Sequence, residues 1–485
     1  MRYEVYKQLK NLSDSIIEAV SYVKEKQEAV GLLADTVTAI SAIKSTFIQN
    51  EIELKELDTY LETIENIVNC INSNEKYLIH LDSLLNLAIK INKYCKDEVK
   101  YKLKVLFLAE LGAKWDAMDS VYWAYKNRKD CEVQVVIAPI FRAVKYPNGE
   151  IKSDVIYRDY LSKIGINHIP FKDYDIKKEL PDITFTSQPY ESVTPEQFWA
   201  ENVAPYTRLV YLPYYTVASI SCNEQRLVQC RMPIHKLAWK VVVQSPYVKE
   251  VYKEYFIGDV DKIVPYGLPK WDYVVNMPKR NIELPDEWGK LKGKRTILIS
   301  YHYNIKNPKF FMQSIKELFA KVEGSNRACI IRFHPLMDMM YNVYYTEMKL
   351  DWEKLKSKLE NSKNFVIDEN ERYDMAFKFS DIFLTEPTSL IYQYVLTGKP
   401  IIVMYGEELK YIEEKDKWKV TFIKQGNFYN TDNIDNGYEI CQKIFDGGDI
   451  LFNDRLNYIK TVLPNADGKI GKRLSEYLVD EILKE

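Results

Sequence analysis

Polar side chains that could bind a phosphate follow two predicted strands in the second half of the chain. His302 comes after an apolar run at 296–300, and Arg332 and His334 end and follow a second run at 329–333. Ligands of an open α/β sheet bind beyond the carboxyl ends of its strands, so these side chains are expected to meet in one crevice. A guanidinium offers a planar fork to phosphate oxygens, and an imidazole can donate to the same group. The alternative for each histidine is a structural hydrogen bond.

A third polar group follows the apolar run at 382–384. Thr388 and Ser389 precede a predicted helix at 390–396, whose free N–H groups, together with two hydroxyls, suit a phosphate. An ordinary helix cap by Thr388 explains the same spacing equally well. Glu386 would repel a phosphate, so its carboxylate is expected to contact a ribose or another hydroxyl group.

Two carboxylates near the start of the first α/β region are candidates for a general base. Glu110 and Asp116 lie in the predicted loop that follows the strand at 105–109, where cleft residues belong. The alternatives are a helix-capping Asp116 and a solvated Glu110, and His302 is a further candidate for the catalytic role. Gly112 in the same loop allows close backbone approach, either as a plain tight turn or as a phosphate cradle.

Short apolar runs that alternate with helical segments must position these side chains. This alternation is typical of βαβ units and parallel sheets. It predicts two Rossmann-like domains, at 104–270 and at 290–485. The predicted strands lie at 105–109, 133–137, 183–186, 209–212, 241–244, 296–300, 329–333, 382–384 and 401–404.

Residues 1–95 precede these domains and have a different composition. They contain no proline and one glycine, and leucine and isoleucine recur at i, i+3, i+4 and i+7. The pattern predicts an all-α hairpin or bundle of three or four helices, with a turn at 72–74. Such apolar stripes often serve self-association, so a homo-oligomer through these helices is predicted.

Composition and motifs exclude several classes of protein. With 67 basic and 69 acidic residues the net charge is −2, which gives no overall attraction to nucleic acid or anionic lipid. Seven cysteines without C-x-x-C spacing favour a reduced, cytoplasmic protein without structural zinc. No dinucleotide, P-loop or metalloprotease motif is present, so neither a cofactor nor a metal is predicted. The sequence contains neither an N-terminal apolar run of signal-peptide length nor an uncharged run of membrane-span length, so neither export by a signal peptide nor a membrane span is predicted. Peripheral contact with the inner face of the membrane is left open.

Several short motifs, taken together and in order, resemble those of one known family, the CDP-glycerol glycerophosphotransferases of teichoic-acid and capsule synthesis. They cover about residues 240 to 405. The matching elements are V-Q-S-P-Y at 243–247, P-Y-G-L-P-K-W-D at 265–272, R-F-H-P at 332–335, Y-D at 373–374, S-D at 380–381, T-S at 388–389 and G-K-P at 398–400.

The resemblance implies a GT-B fold, and thus an α/β chain of two Rossmann-like domains after the helical module, with the acceptor domain at 104–270 and the nucleotide-donor domain at 290–485. It implies that Arg332, His334, Thr388 and Ser389 hold the nucleotide diphosphate, with Gly267 near the interdomain cleft. It also implies metal-independent transfer from a CDP-linked donor to a glycan or lipid-linked acceptor, with CMP as the leaving group if the donor is CDP-glycerol.

The sequence departs from the family pattern at three points. The family's W-H-G, whose histidine is taken as the base, has its counterpart in Y-L-P-Y-Y at 211–215, which contains no histidine. The family's T-D-Y-S-S appears as T-E-P-T-S at 385–389, and a later aspartate is Gln393. With no histidine in the first motif, His302 and Tyr214 are the next candidates for the base if neither Glu110 nor Asp116 acts.

The sequence therefore predicts a cytoplasmic transferase of cell-surface polymer synthesis that moves glycerol phosphate or a related group. Two alternatives stay open. The first is a nucleotide-sugar glycosyltransferase of the same fold, and the second is a non-catalytic scaffold that assembles partners through its helical N-terminus.

Overall fold

Four long helices account for most of the first hundred residues. The computed structural model describes residues 1–26, 30–70, 74–110, 112–145, 147–157, 159–217, 229–303, 307–404 and 428–484. The helices are α1 (Tyr3–Glu25), α2 (Leu32–Gln49), α3 (Glu56–Asn69) and α4 (Asn74–Asp97). Their apolar stripes form a separate core that includes Ile16, Val20, Ile40, Leu81 and Leu84. Of the predicted turn at 72–74, residues 72 and 73 lie outside the described residues.

The chain divides into two compact units. The helical unit comprises Met1–Val105 with Arg128–Glu132, and the second unit comprises Leu106–Asn127 with Val133–Glu485. Each unit is described by itself below. None of the helices in the described part of the chain is both long enough and apolar enough to cross a membrane.

The second unit contains two sheets and a hairpin. In the first sheet the strand order is β5-β2-β1-β6-β7-β8-β9, and in the second it is β12-β11-β10-β13-β14-β15. The strands of the first are β1 (Leu103–Ala109), β2 (Cys131–Ile137), β5 (Ile169–Pro170), β6 (Ile183–Thr186), β7 (Arg208–Tyr211), β8 (Lys240–Val242) and β9 (Ile263–Val264); those of the second are β10 (Arg295–Tyr301), β11 (Arg327–Phe333), β12 (Phe365–Ile367), β13 (Ile382–Thr385), β14 (Ile401–Met404) and β15 (Tyr429–Thr431). An antiparallel hairpin of β3 (Ile140–Lys145) and β4 (Ile151–Ile156) stands apart from both.

Helices cover the sheets. They are α5 (Gly112–Lys126), α6 (Pro233–Leu237), α7 (Pro246–Tyr255), α8 (Lys270–Val275), α9 (Pro308–Val322), α10 (Lys349–Glu360), α11 (Asp374–Phe379), α12 (Ile434–Gly447), α13 (Phe452–Val462) and α14 (Ile470–Lys484), with shorter turns between them.

The middle parts of the central strands of the second sheet are apolar because both faces of the sheet are buried there. Ile297 and Ile299 contribute to a core that includes residues of α9 and α10. Leu298, which points to the opposite face, joins a core that also contains Leu106 and Leu209 of the first sheet. The two Rossmann-like halves therefore share one hydrophobic core within the second unit.

These elements confirm the predicted fold class, an α/β chain of GT-B type with an all-helical region before it. Two local predictions are wrong. Helix α5 begins at Gly112, inside the segment predicted as a loop, because Trp115 is buried against Phe107 and Tyr122, with ring centroids 6.2 and 5.4 Å away. Asp116 therefore lies in a helix and not in a loop.

The final helix follows a path that its sequence does not indicate. Although the domain prediction assigns α14 to the second Rossmann-like domain, α14 packs against α5 of the first half. Its first turn is held by Asp272, whose carboxylate accepts hydrogen bonds from the backbone nitrogens of Ile470 (2.9 Å) and Gly471 (2.7 Å). A carboxylate at a helix N-terminus satisfies free N–H groups and interacts favourably with the helix dipole.

Candidate active site

The ends of three neighbouring strands bring His302 and His334 together. Tyr301 of β10 pairs with Phe333 of β11, so the residues that follow emerge at the same level of the sheet. The ring centroids of His302 and His334 are 5.3 Å apart, and the ring of Tyr303 lies 4.6 Å from that of His334. The structure thus places these two predicted site residues at one edge.

Glu386, which follows β13, lies beside His302 and forms one cluster with His302 and His334. Its carboxylate accepts a hydrogen bond from the backbone nitrogen of His302 at 3.3 Å. Thr385, the last residue of β13, is buried, and its hydroxyl donates to Ser300 O of the neighbouring strand at 3.0 Å. The strand end, and with it the direction of Glu386, is therefore fixed by a backbone contact with β10.

Burial favours the neutral form of both imidazoles in this cluster. Burial, reinforced by the neighbouring His302, lowers the pKa of His334 to about 4. Burial also lowers the pKa of His302. The Nδ1 atom of His334 accepts a hydrogen bond from the backbone nitrogen of Leu336 at 3.1 Å. Nε2 of that ring consequently carries the proton and is a hydrogen-bond donor.

Thr388 and Ser389 lie beyond Glu386, but neither caps a helix. The helix here runs only from Ile391 to Tyr394, its cap position is Leu390, and no side chain caps it. The Thr388 hydroxyl is buried and has no hydrogen-bond partner among the described residues, whereas Ser389 is exposed. The alternative of an ordinary helix cap by Thr388 is thus excluded, because the chain turns once more before the helix begins.

Arg332 has partners within the protein. Its Nη1 donates to Asp368 Oδ2 at 2.6 Å, and its Nη2 donates to the carbonyl oxygen of Glu371 at 3.2 Å. The Asp368 side chain has no exposed surface. Arg332 therefore links β11 to the loop after β12 through two hydrogen bonds. The local sequence around Arg332 does not indicate this structural role.

Gly267 lies in the shared core of the second unit. Its φ of 95° falls in the left-handed region that favours glycine. A Cβ at this position would come within 2.9 Å of Ile470 Cδ1 and 3.2 Å of Asn465 Cβ. The glycine thus permits close packing against the beginning of α14.

The two predicted base candidates are both buried. Asp116 accepts a hydrogen bond from the Tyr373 hydroxyl at 2.8 Å and lies 3.7 Å from Lys270 Nζ. Glu110 is 4.0 Å from Lys114 Nζ, and burial raises the pKa of its carboxyl, an effect that Lys114 opposes. Neither carboxylate is in contact with the His302–His334 cluster by any hydrogen bond found among the described residues.

Lys270 connects the two halves of the second unit. Besides its approach to Asp116, Lys270 Nζ donates to the carbonyl oxygen of Tyr214. With the Gln393 amide oxygen turned toward it, Lys270 also donates to that oxygen at 2.6 Å. Burial lowers the pKa of Lys270, and Asp116 opposes that shift. Gln393, which stands where the family has an aspartate, therefore accepts a hydrogen bond from a buried lysine.

A groove of about 730 Å³ opens between residues 159–163 of the first half and 369–375 of the second. Asp374 lies on its wall, and the Tyr273 hydroxyl donates to its Oδ2. Burial, reinforced by Asp116 and Asp119, raises the pKa of Asp374 to about 6. The ring of Tyr273 is itself stacked by two guanidinium groups, with Arg280 at 3.8 Å and Arg372 at 3.3 Å from its centroid.

Comparison with known proteins matches this part of the chain to one family. A family model described as CDP-Glycerol:Poly(glycerophosphate) glycerophosphotransferase matches residues 224–422. Two curated relatives come from Staphylococcus aureus. The teichoic acid ribitol-phosphate polymerase TarL is 22% identical over 252 residues, which are 50% of this chain and 41% of TarL. The polymerase TarK is 23% identical over 251 residues, which are 50% of this chain and 45% of TarK.

Residues 224–422 thus match the model of the CDP-glycerol glycerophosphotransferase family. The matched region contains the predicted donor-binding residues, together with His302, Lys270, Tyr373 and Asp374. Glu110, Asp116 and Tyr214 lie outside it. The chain matches less than half of the length of the two curated relatives.

Solved structures share the fold of this chain. The wall teichoic acid polymerase TagF aligns with a TM-score of 0.51 and 12% identity, covering 89% of this chain and 99% of TagF. A putative UDP-N-acetylglucosamine 2-epimerase from Listeria monocytogenes aligns with a TM-score of 0.52 and 14% identity, covering 79% of this chain and 98% of the epimerase. At these identities the likeness establishes the fold alone.

Sequence reasoning missed the polar residues around the groove. Lys270, Tyr373 and Asp374 stand within motifs that match the family, so the motifs did contain a signal. Their partners, however, come from distant parts of the chain: Tyr373 meets Asp116, which is 257 residues away. Arg372 and Tyr273 form their stack for the same reason, since α8 and the loop before α11 meet only in the folded unit.

Proposed function

We propose that this chain is a transferase that moves glycerol phosphate, or a related polyol phosphate, from a CDP-linked donor to a glycan or lipid-linked acceptor. The product would be a cell-surface polymer of teichoic-acid or capsule type. The observation that carries the proposal is the edge of the second sheet, where the matched region gathers His302, His334 and Glu386.

The reaction joins an acceptor hydroxyl oxygen to the β-phosphorus of the donor. The bond from that phosphorus to the bridging oxygen breaks, CMP leaves with the electron pair, and the hydroxyl proton passes to a base. Negative charge grows on the leaving phosphate, and fixed hydrogen-bond donors aimed at it lower the barrier. Nε2 of His334 is such a donor, and the Thr388 and Ser389 hydroxyls follow the adjacent strand.

A neutral donor suits this role. An imidazole whose pKa is lowered to about 4 keeps one N–H and one acceptor nitrogen throughout the neutral range. Its hydrogen bond to a phosphate oxygen therefore does not depend on a charge that a change of pH would remove. Glu386 would repel the diphosphate, and we propose that its carboxylate accepts from a ribose hydroxyl instead.

We keep Asp116 and Glu110 as the proposed bases. A buried carboxyl with a raised pKa, such as that of Glu110, accepts a proton more strongly than an exposed one. Because a nucleotide-linked donor is a cytoplasmic metabolite, we also propose that the protein acts in the cytoplasm, against the inner face of the membrane where its acceptor is lipid-linked.

Release of CMP tests the proposal. Full-length protein is titrated by calorimetry with CDP-glycerol, CDP-ribitol and UDP-N-acetylglucosamine, and CMP or UDP is then measured after addition of a lipid-linked glycan. The expected result is binding of a CDP-linked donor and release of CMP that depends on the acceptor. His334→Ala should weaken donor binding about tenfold, the loss of one hydrogen bond to a charged group.

His80→Ala in α4 is the matched control, since this histidine belongs to the helical unit. Binding and turnover of the UDP-linked sugar alone would replace the proposal with a glycosyltransferase. A folded protein that binds none of the three nucleotides would favour a scaffold.

A further inference from the structure

The groove between residues 159–163 and 369–375 is large enough for a ligand of several sugar or polyol units. It lies within the second unit and measures about 730 Å³. Tyr160 on one wall presents a partly exposed ring, and Arg372 and Asp374 lie on the other. None of the three has a role in the donor site described above.

Arg372 offers a hydrogen-bond donor that the protein does not use. Its side chain is only 8% exposed, and its guanidinium stacks on the Tyr273 ring. Nε lies 3.7 Å from Asp374 Oδ1, while Nη2 is buried without a hydrogen-bond partner among the described residues. An unpaired buried N–H of a charged group is costly, so a partner outside the protein is expected at this position.

Asp374 offers an unused acceptor beside that donor. Its Oδ2 accepts from the Tyr273 hydroxyl, whereas Oδ1 has no hydrogen-bond partner among the described residues. The stack of Arg280, Tyr273 and Arg372 fixes the guanidinium before a ligand arrives. A donor and an acceptor held side by side match a hydroxyl group, or two adjacent hydroxyls, in both directions of hydrogen bonding.

The charge of the groove selects between classes of ligand. Four carboxylates line it, from Asp159, Glu369, Glu371 and Asp374, against two cations, Lys163 and Arg372. This excess of negative charge repels a chain of phosphodiesters but not an uncharged sugar or polyol. The ring of Tyr160 adds an apolar surface of the kind that packs against the carbon face of a sugar.

We propose that this groove binds the uncharged, hydroxyl-rich end of the acceptor, with Arg372 Nη2 donating to one hydroxyl oxygen and Asp374 Oδ1 accepting from a hydroxyl. The inference rests on the proposed transferase function and adds the class of acceptor. A neutral saccharide or polyol terminus is preferred there over a terminus built of polyol phosphates.

Acceptor kinetics test this assignment in the full-length protein. CDP-glycerol serves as the donor, and two lipid-linked acceptors are compared, one ending in a neutral disaccharide and the other in an oligomer of glycerol phosphate. The wild-type protein should show the lower KM for the neutral terminus. Arg372→Lys and Asp374→Asn should each raise that KM about tenfold, the effect of one lost hydrogen bond, with the calorimetric Kd for CDP-glycerol unchanged.

Arg295→Lys and Asp351→Asn are the matched controls, since both side chains are exposed and lie outside the groove. Tyr160→Ala, on the opposite wall, provides a variant that leaves the Arg372 stack intact and should raise the same KM. Unchanged acceptor KM in the folded groove variants, or a lower KM for the phosphate oligomer, overturns the inference while donor binding stands. Absence of CDP-glycerol binding in the wild-type protein would instead overturn the proposed function.

Discussion

Asp116 is a residue at which the two halves of the second unit meet. It receives the Tyr373 hydroxyl on Oδ2 and faces Lys270, while its Oδ1 has no hydrogen-bond partner among the described residues. The same carboxylate could take a proton from an acceptor, as its place after β1 suggests, or could hold Tyr373 and Lys270 in position. These two roles differ in what Tyr373 contributes.

We expect Asp116→Asn to lower turnover by about a hundredfold if the carboxylate is the base, with donor affinity nearly unchanged. Tyr373→Phe is the matched variant, because it removes the same hydrogen bond and leaves the carboxylate in place. If Asp116 is the base, Tyr373→Phe should keep most of the wild-type turnover. Equal losses of turnover in the two variants would show that Asp116 positions its partners. Glu110→Gln, assayed in parallel, tests whether the other buried carboxylate is the base.

Arg332 combines a predicted role in binding with an observed role in folding. Asp368 is held on both oxygens, by Arg332 on Oδ2 and by Asn370 on Oδ1. Removing the arginine would leave a fully buried carboxylate with only part of its partners. A buried charge that loses its partner costs more than the intact pair contributes.

We therefore expect Arg332→Met to lower the free energy of unfolding by about 2 kcal/mol or more. Adding Asp368→Asn should recover part of that loss, because the buried charge is then removed as well. Urea unfolding of the two single variants and the double variant measures this coupling. Donor affinity, measured by calorimetry on the same proteins, tests the phosphate contact predicted from the sequence; unchanged affinity in folded Arg332→Met would remove Arg332 from the donor site.

At the scale of elements, α14 can cross α5 at this distance because residue 471 is a glycine and has no side chain. A Cβ at Gly471 would overlap the backbone of Ser120, and backbone cannot move aside as the end of a flexible side chain can. Asp272 holds the first turn of α14 in this place through Ile470 N and Gly471 N. The helix therefore has little freedom to shift.

Gly471→Ala should destabilise the second unit by about 2 kcal/mol, in the range of other overpacked sites. Gly447→Ala is the matched control, since nothing lies within 4 Å of its Cβ position at the end of α12. There the alanine should be neutral or slightly stabilising, because it has the better helix propensity. A Gly471→Ala protein with unchanged urea midpoint would contradict this packing.

At the scale of the whole molecule, the helical unit keeps apolar side chains on its surface. Leu78 and Ile89 of α4 are 37% and 47% exposed. The separation of eleven residues is just over three helical turns, so these two side chains lie on the same face of α4. An exposed apolar face of this kind is commonly buried by a second copy of the chain.

We expect the full-length protein to be a homo-oligomer that associates through this face. The double variant Leu78→Lys/Ile89→Lys should shift the mass measured by light scattering to that of the monomer. Ile450→Lys is the control, because Ile450 is the most exposed large apolar side chain found in the described part of the second unit. A wild-type protein that is already monomeric would refute the prediction.

The sequence by itself determined the main strands of the two sheets and their order along the chain, but not β3, β4 or the short strands β5, β9, β12 and β15. The apolar runs at 183–186 and 401–404 coincide with β6 and β14, and the other predicted strands agree with the structure to within a few residues. Burial of both sheet faces makes each strand a continuous apolar run, so a local pattern is enough to find it. The convergence of His302 and His334 followed from the same logic, because parallel strands end at a common edge.

Only the tertiary structure decided which distant residues become the partners of each polar side chain. Asp368 lies 36 residues from Arg332, and nothing in the local sequence links the two. The same holds for Asp116 with Tyr373, for Gly267 with Ile470 and for the hairpin of β3 and β4, whose strands lack a strong apolar run. Strand and helix patterns are fixed by neighbours a few residues apart, whereas partners for a charge depend on how distant elements pack, and no local periodicity records that packing.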